Sequence, residues 1–158
     1  MKRHIIPMAL VLAIIFALGS MSMSYGQEDY MHFIGCDYED NEAPGEDVAS
    51  VGATIVNNKE LEITVYNAYP GYVAEVNFTV KHTGETGGPV MYLTYIGDYS
   101  SAEMDVVVTD LDGDPIPLYS DYDPGDLLEG LITISVYQPA EQGHSYSFNF
   151  DLEFSPGA

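Results

Sequence analysis

The chain has 158 residues, with 25 acidic side chains against four basic ones, a formal net charge of −21, and a single cysteine. A surface of that sign repels polyanions, which excludes nucleic acid and anionic lipid as natural partners. The lone Cys36 excludes an internal disulfide, and the length suits one domain with its own hydrophobic core.

The first 26 residues read as an export signal. Lys2 and Arg3 precede an apolar run over residues 5–18, about 14 residues against the roughly 20 that a membrane-spanning helix needs, and small polar residues follow it. Ser24 and Gly26 place the cut before Gln27. All the acidic residues, but only Lys59 and Lys81 of the basic ones, lie beyond that cut. Such a surface calls for screening by salt or divalent cations, which fits a secreted protein, extracellular or at the cell surface, with no membrane attachment after cleavage.

A short apolar patch follows, formed by Tyr30, Met31, His32, Phe33 and Ile34. Residues 36–47 then carry Asp37, Glu39, Asp40, Glu42, Glu46 and Asp47 around Pro44-Gly45, a segment that repels itself and lacks core residues. It reads as an extended linker. The domain plan is therefore a signal peptide over 1–26, an apolar strand candidate with an acidic linker over 27–47, and a β-sandwich over 48–158. For Cys36 the alternatives are a plain thiol, an acylated residue and an intermolecular link; acylation requires a cysteine directly after the apolar run, and Gln27, Glu28, Asp29 and His32 intervene.

Beyond Val48 the dominant signal is alternation with period two, the pattern of a strand with one face buried. Over 72–81, Tyr72, Ala74, Val76, Phe78 and Val80 share one face while Glu75, Asn77, Thr79 and Lys81 take most of the other. Over 145–154, Tyr146, Phe148, Phe150, Leu152 and Phe154 face inward and Ser147, Asn149, Asp151 and Glu153 outward. Further strands are predicted at 51–57, 61–66, 90–96, 104–109 and 131–137, separated by turn clusters such as Asn57-Asn58 and the Gly/Thr run at 83–88. These features predict an all-β fold, an antiparallel two-sheet sandwich of jelly-roll or immunoglobulin-like type. Apolar strand faces, at about 25 cal/mol per Å2 buried, supply its main folding term, so no cofactor is required.

His32, His82 and His144 form no pair at ligand spacing and read as surface residues. With no nucleophile elbow, phosphate-binding glycine loop or Cys-His arrangement, the sequence supports no enzymatic assignment and no catalytic residue. Asp110, Asp112 and Asp114 alternate as calcium-loop ligands do, with Asp121 at the twelfth position, since a hard cation gathers several oxygens. Pro115 stands where an EF-hand loop requires glycine. The two readings are a calcium site, calcium being the one cofactor the chain admits, and a solvated Asp/Gly/Pro turn. Asn77-Phe78-Thr79 is an N-glycosylation sequon, with Asn77 on the polar face of its strand.

Two stretches carry more than generic pattern. Residues Asn67-Ala68-Tyr69-Pro70-Gly71-Tyr72, followed by Val76-Asn77-Phe78-Thr79-Val80-Lys81-His82-Thr83-Gly84, resemble the Pro-Gly, strand, Asn-Thr-Gly segment of the TasA/camelysin family and its archaeal bundling-pilin-like relatives, with His82 where Asn is usual. Gly143-His144-Ser145-Tyr146-Ser147-Phe148-Asn149-Phe150 resembles that family's closing strand. The resemblance implies a jelly-roll subunit of extracellular fibres or pili in a biofilm matrix, a homopolymer in which each N-terminal strand is donated to the next subunit. The family also carries a metalloprotease label, for which this chain offers no zinc-ligand cluster. Two functions follow as expectations: a structural subunit whose donor strand is Tyr30, Met31, His32, Phe33 and Ile34, or a monomeric secreted module that binds calcium, a carbohydrate or a cell-surface or matrix partner.

Overall fold

The structure, a computed structural model, describes residues 30–43, 48–138, 140 and 142–157; the segment read as an export signal lies outside them. Among the described residues, nine strands form two antiparallel sheets: β1 (Met31–Asp40), β2 (Ser50–Val56), β3 (Glu60–Ala68), β4 (Val73–His82), β5 (Met91–Ile96), β6 (Met104–Thr109), β7 (Asp121–Tyr122), β8 (Leu127–Val136) and β9 (His144–Pro156). One sheet has the order β1-β4-β8-β6, and the other β2-β3-β9-β5-β7. The fold is the two-sheet sandwich that the alternation predicts.

Local chemistry explains the pairings. The β2–β3 hairpin closes through Asn57 and Asn58, both at positive φ (51° and 59°), with Lys59 N–H donating to Val56 O at 3.0 Å. Two successive left-handed residues are what a type I′ turn needs, and asparagine tolerates that region better than most residues. On β4, Ala74, Val76, Phe78 and Val80 are all buried, and Tyr72 just before the strand is buried with them. They face Leu61, Ile63, Val65 and Phe150 of the other sheet in one hydrophobic core. Its centre is aromatic: Phe78 lies 5.2 Å from Phe150 and 5.9 Å from Phe33, ring centre to ring centre. Gly130 on β8 makes room for this cluster, because a Cβ there would sit 2.4 Å from Phe78 Cζ.

Phenol hydroxyls serve the carboxylates of this cation-poor chain. Tyr72 donates to Asp40 (3.0 Å), Tyr99 to Asp151 (2.6 Å), Tyr146 to Glu103 (2.7 Å) and Tyr137 to Asp105 (3.4 Å). Each ties an acidic side chain to an aromatic body that packs on or beside the sandwich.

Four sequence expectations are corrected. The acidic segment 36–47 is not an extended linker throughout, since Cys36–Asp40 completes β1, and the folded domain starts before Val48. Its charges escape notice as a strand because Asp37 and Glu39 lie on the outer face of an edge strand, where water solvates them. The strand β8 begins at Leu127, four residues earlier than predicted, with Gly130 inside it. The two-residue β7, paired with Met91 and Tyr92, is too short to leave a periodic signal. His82 is fully buried, not a surface residue, because it continues the inward face of β4.

Candidate strand-exchange site

The N-terminal strand is held at the edge of the four-stranded sheet by antiparallel pairing with β4, from Met31 opposite His82 to Asp40 opposite Ala74. A bulge between Phe33 and Gly35 leaves Ile34 as the extra residue. One inserted residue exchanges the faces of everything after it. Met31 and Phe33 therefore point into the core before the bulge, and Cys36, Tyr38 and Asp40 lie opposite the core-facing Phe78, Val76 and Ala74 after it. Of the expected donor residues, Met31 and Phe33 are buried, Tyr30 and His32 are half-buried, and Ile34 is exposed. Within one chain this strand fills its own slot.

Each end of β1 is fastened. At the start, Tyr30 O accepts from the Thr83 N–H at 2.7 Å and from the Thr83 hydroxyl at 3.0 Å, and the Tyr30 ring stacks on His82 with centroids 5.5 Å apart. At the finish, Asp40 Oδ2 accepts from the Tyr72 hydroxyl, and Asn41 exchanges hydrogen bonds with the Val73 backbone through both its N–H and its Oδ1. Burial pushes the Tyr72 phenol far above its ordinary range, and the bond to Asp40 adds to the effect. Beyond the strand, the Glu42 carboxylate accepts from Val48 N–H and Ala49 N–H, each at 2.9 Å, so the connection to β2 closes on itself.

The middle of β1 is less favourably placed. Glu39 lies directly opposite Glu75, and like charges in that position weaken a strand pair. Against this, Phe33 N–H donates to Asn58 O at 2.9 Å, and Cys36 Sγ sits 3.8 Å from Ala53 O, closing the sandwich toward β2. Cys36 is a free, half-buried thiol whose pKa is raised by burial and by neighbouring Asp37, the environment of an unreactive cysteine.

No protein-family model, curated protein or solved structure matches this chain. The arrangement of its own residues therefore carries the functional argument.

The carboxylate of Asp110 is engaged within the acidic loop after β6. Asp110 Oδ1 accepts from the N–H groups of Asp112 (3.0 Å) and Asp114 (2.9 Å), while Asp110 N–H donates to Asp114 O (2.8 Å). That carboxylate is the acceptor that shapes its own turn. Asp121 lies on β7 opposite Tyr92, and Asp126 Oδ2 accepts from Asp123 N–H within a separate turn. Among the described residues, no group of three or more His, Cys, Asp or Glu side chains comes together to hold a metal ion. Asn77 stands exposed on the outer face of β4, between Asp37 of β1 and Leu131 of β8.

Proposed function

We propose that the mature chain is a secreted structural subunit of extracellular fibres or pili, which polymerises by giving its N-terminal strand to the next copy. The supporting observation is that β1 is a separable part at a sheet edge: two apolar anchors, Met31 and Phe33, sit in the core, and a short acidic connection leads to the rest of the domain. Exchange with a neighbour reproduces every β1–β4 contact, so only the connection changes conformation, which is why swapping an intact element costs little. Residues 41–49, pulled straight at about 3.3 Å each, reach about 30 Å, enough to bridge adjacent subunits. Main-chain pairing with the exposed β4 edge supplies affinity, and the Met31 and Phe33 pockets supply register. The Glu39–Glu75 opposition is the same in either arrangement and favours neither.

The experiment is electron microscopy of the purified mature chain across a salt and calcium series, beside a version lacking residues 27–40 and the same version supplied with that segment as a free peptide. Fibres are expected from the complete chain, none from the truncated chain, and soluble monomers when the peptide fills the slot. Identical fibres from the truncated chain, or a complete chain that stays monomeric under every condition, refute strand exchange. The second outcome favours the alternative suggested by β1 lying in its own sheet, a monomeric secreted binding module.

A further inference from the structure

His82 is fully buried, and among the described residues it is the only histidine, acid or base so buried. Its two ring nitrogens have partners that dictate the proton's place. Nε2 lies 2.9 Å from Pro89 O, a carbonyl that only accepts, so Nε2 carries the hydrogen. Nδ1 receives the Gly84 N–H at 3.0 Å, so Nδ1 offers its lone pair. Only the neutral ring satisfies both, and the tautomer follows from these partners.

The contacts around that ring lead to β1. Gly84 adjoins Thr83, whose N–H and hydroxyl both donate to Tyr30 O at the start of the strand. Tyr30 stacks on the imidazole, its ring tilted by only 16°. The fit is close: a Cβ on Gly84 would lie 2.6 Å from His82 Cε1 and 3.1 Å from Tyr30 Cδ1. The titratable groups around the assembly are Tyr30 itself, His32 with Nδ1 3.3 Å from the Thr83 hydroxyl, Glu85 in the loop, Lys81 on the outer face of β4, and Asp123 and Asp126. The backbone at 125–126 brackets His82, Asp126 O accepting from His82 N–H and Gly125 N–H donating to His82 O, each at 2.9 Å.

We propose that His82 is an acid-sensitive latch on the N-terminal strand: the neutral ring holds the 83–84 loop and Tyr30 closed, and a second proton on Nδ1 meets the Gly84 N–H, donor against donor, and opens them. Its consequence, freeing the first half of β1 for a neighbouring subunit, rests on the strand-exchange reading. The closed latch cannot accept a second proton without losing the Gly84 N–H, whose acceptor Nδ1 is. The open state therefore gains population as pH falls, up to about tenfold per pH unit for one proton.

The test is amide hydrogen exchange at Phe33, Thr83 and Gly84, corrected for the intrinsic pH dependence of exchange, from pH 7.5 to pH 5. The wild type is compared with His82→Gln, which keeps one donor and one acceptor but does not titrate, and with Gly84→Ala, which wedges the latch apart. Protection in the wild type is expected to fall, by up to about tenfold per pH unit, as the pH is lowered across this range while β3 amides hold. Protection in His82→Gln should stay flat, and Gly84→Ala should be weakly protected at every pH. If the wild type follows His82→Gln throughout, or if Gly84→Ala is as well protected as the wild type at pH 7.5, there is no latch. Microscopy of the same samples separates the two readings: a latch that opens on schedule while no fibres form at any pH leaves the latch standing and removes strand exchange as its purpose.

Discussion

Asp110 shows how one side chain can shape the turn that carries it. Alternating acids at 110, 112 and 114 match cation-ligand spacing, but the same spacing suits an aspartate that folds back onto the N–H groups two and four residues ahead. Asp110→Ala should cost about 1–2 kcal/mol, the usual consequence of leaving such donors without their acceptor, whereas the exposed Asp112→Ala should stay within about 0.5 kcal/mol; urea unfolding of the two variants checks this. Gly130 makes a harder demand. Its Cβ position is blocked by the Phe78 ring and lies 3.0 Å from Thr109 O, so Gly130→Ala should destabilise by about 1–3 kcal/mol, measured by the shift in the urea midpoint. His82 marks a limit of reading residues singly. Nothing in Lys81-His82-Thr83 announces burial, but parity does: His82 continues the series Phe78, Val80 on the inward face of β4.

At the level of elements, strands with unbroken alternation were legible, and those with an interruption were not. Over β4 every second residue from Ala74 is buried, as the pattern predicts. The predicted bounds of the closing strand lie within two residues of its ends, yet of its inward series only Phe150 is buried outright, the rest being half-buried against the core. The apolar pattern of the first strand stops at Ile34 because the bulge there changes the phase in mid-strand, so that no single alternation spans Met31–Asp40. The bulge also yields a contrast between neighbours. Phe33, packed between Phe78 and Phe150 at 5.9 and 6.2 Å, should cost about 3–5 kcal/mol when replaced by alanine, while Ile34→Ala on the solvent side should cost under about 1 kcal/mol, both measured by thermal or urea unfolding of the monomer. Equal effects would mean that β1 does not pack as described.

For the whole molecule, the balance of charge sets how stability responds to its surroundings. Tyr72 and Tyr99 are both pushed well above the ordinary tyrosine range, chiefly by burial and next by hydrogen bonding to Asp40 and Asp151. A folded state that holds these phenols protonated keeps their full contribution below about pH 10, where tyrosine ionises in the unfolded chain, and loses it as pH rises further. The urea midpoint should therefore fall steeply above about pH 10, and Tyr72→Phe should flatten that fall. Salt acts on a different part of the molecule. Carboxylates outnumber lysines 25 to two after residue 26, so raising ionic strength relieves repulsion among them and should raise the melting temperature. The tyrosine–carboxylate bonds gain nothing from that relief and lose nothing either, because a phenol brings no charge to be screened. A protein braced in this way keeps its internal architecture across a wide range of salinity, while salinity bears chiefly on how closely one molecule can come to the next.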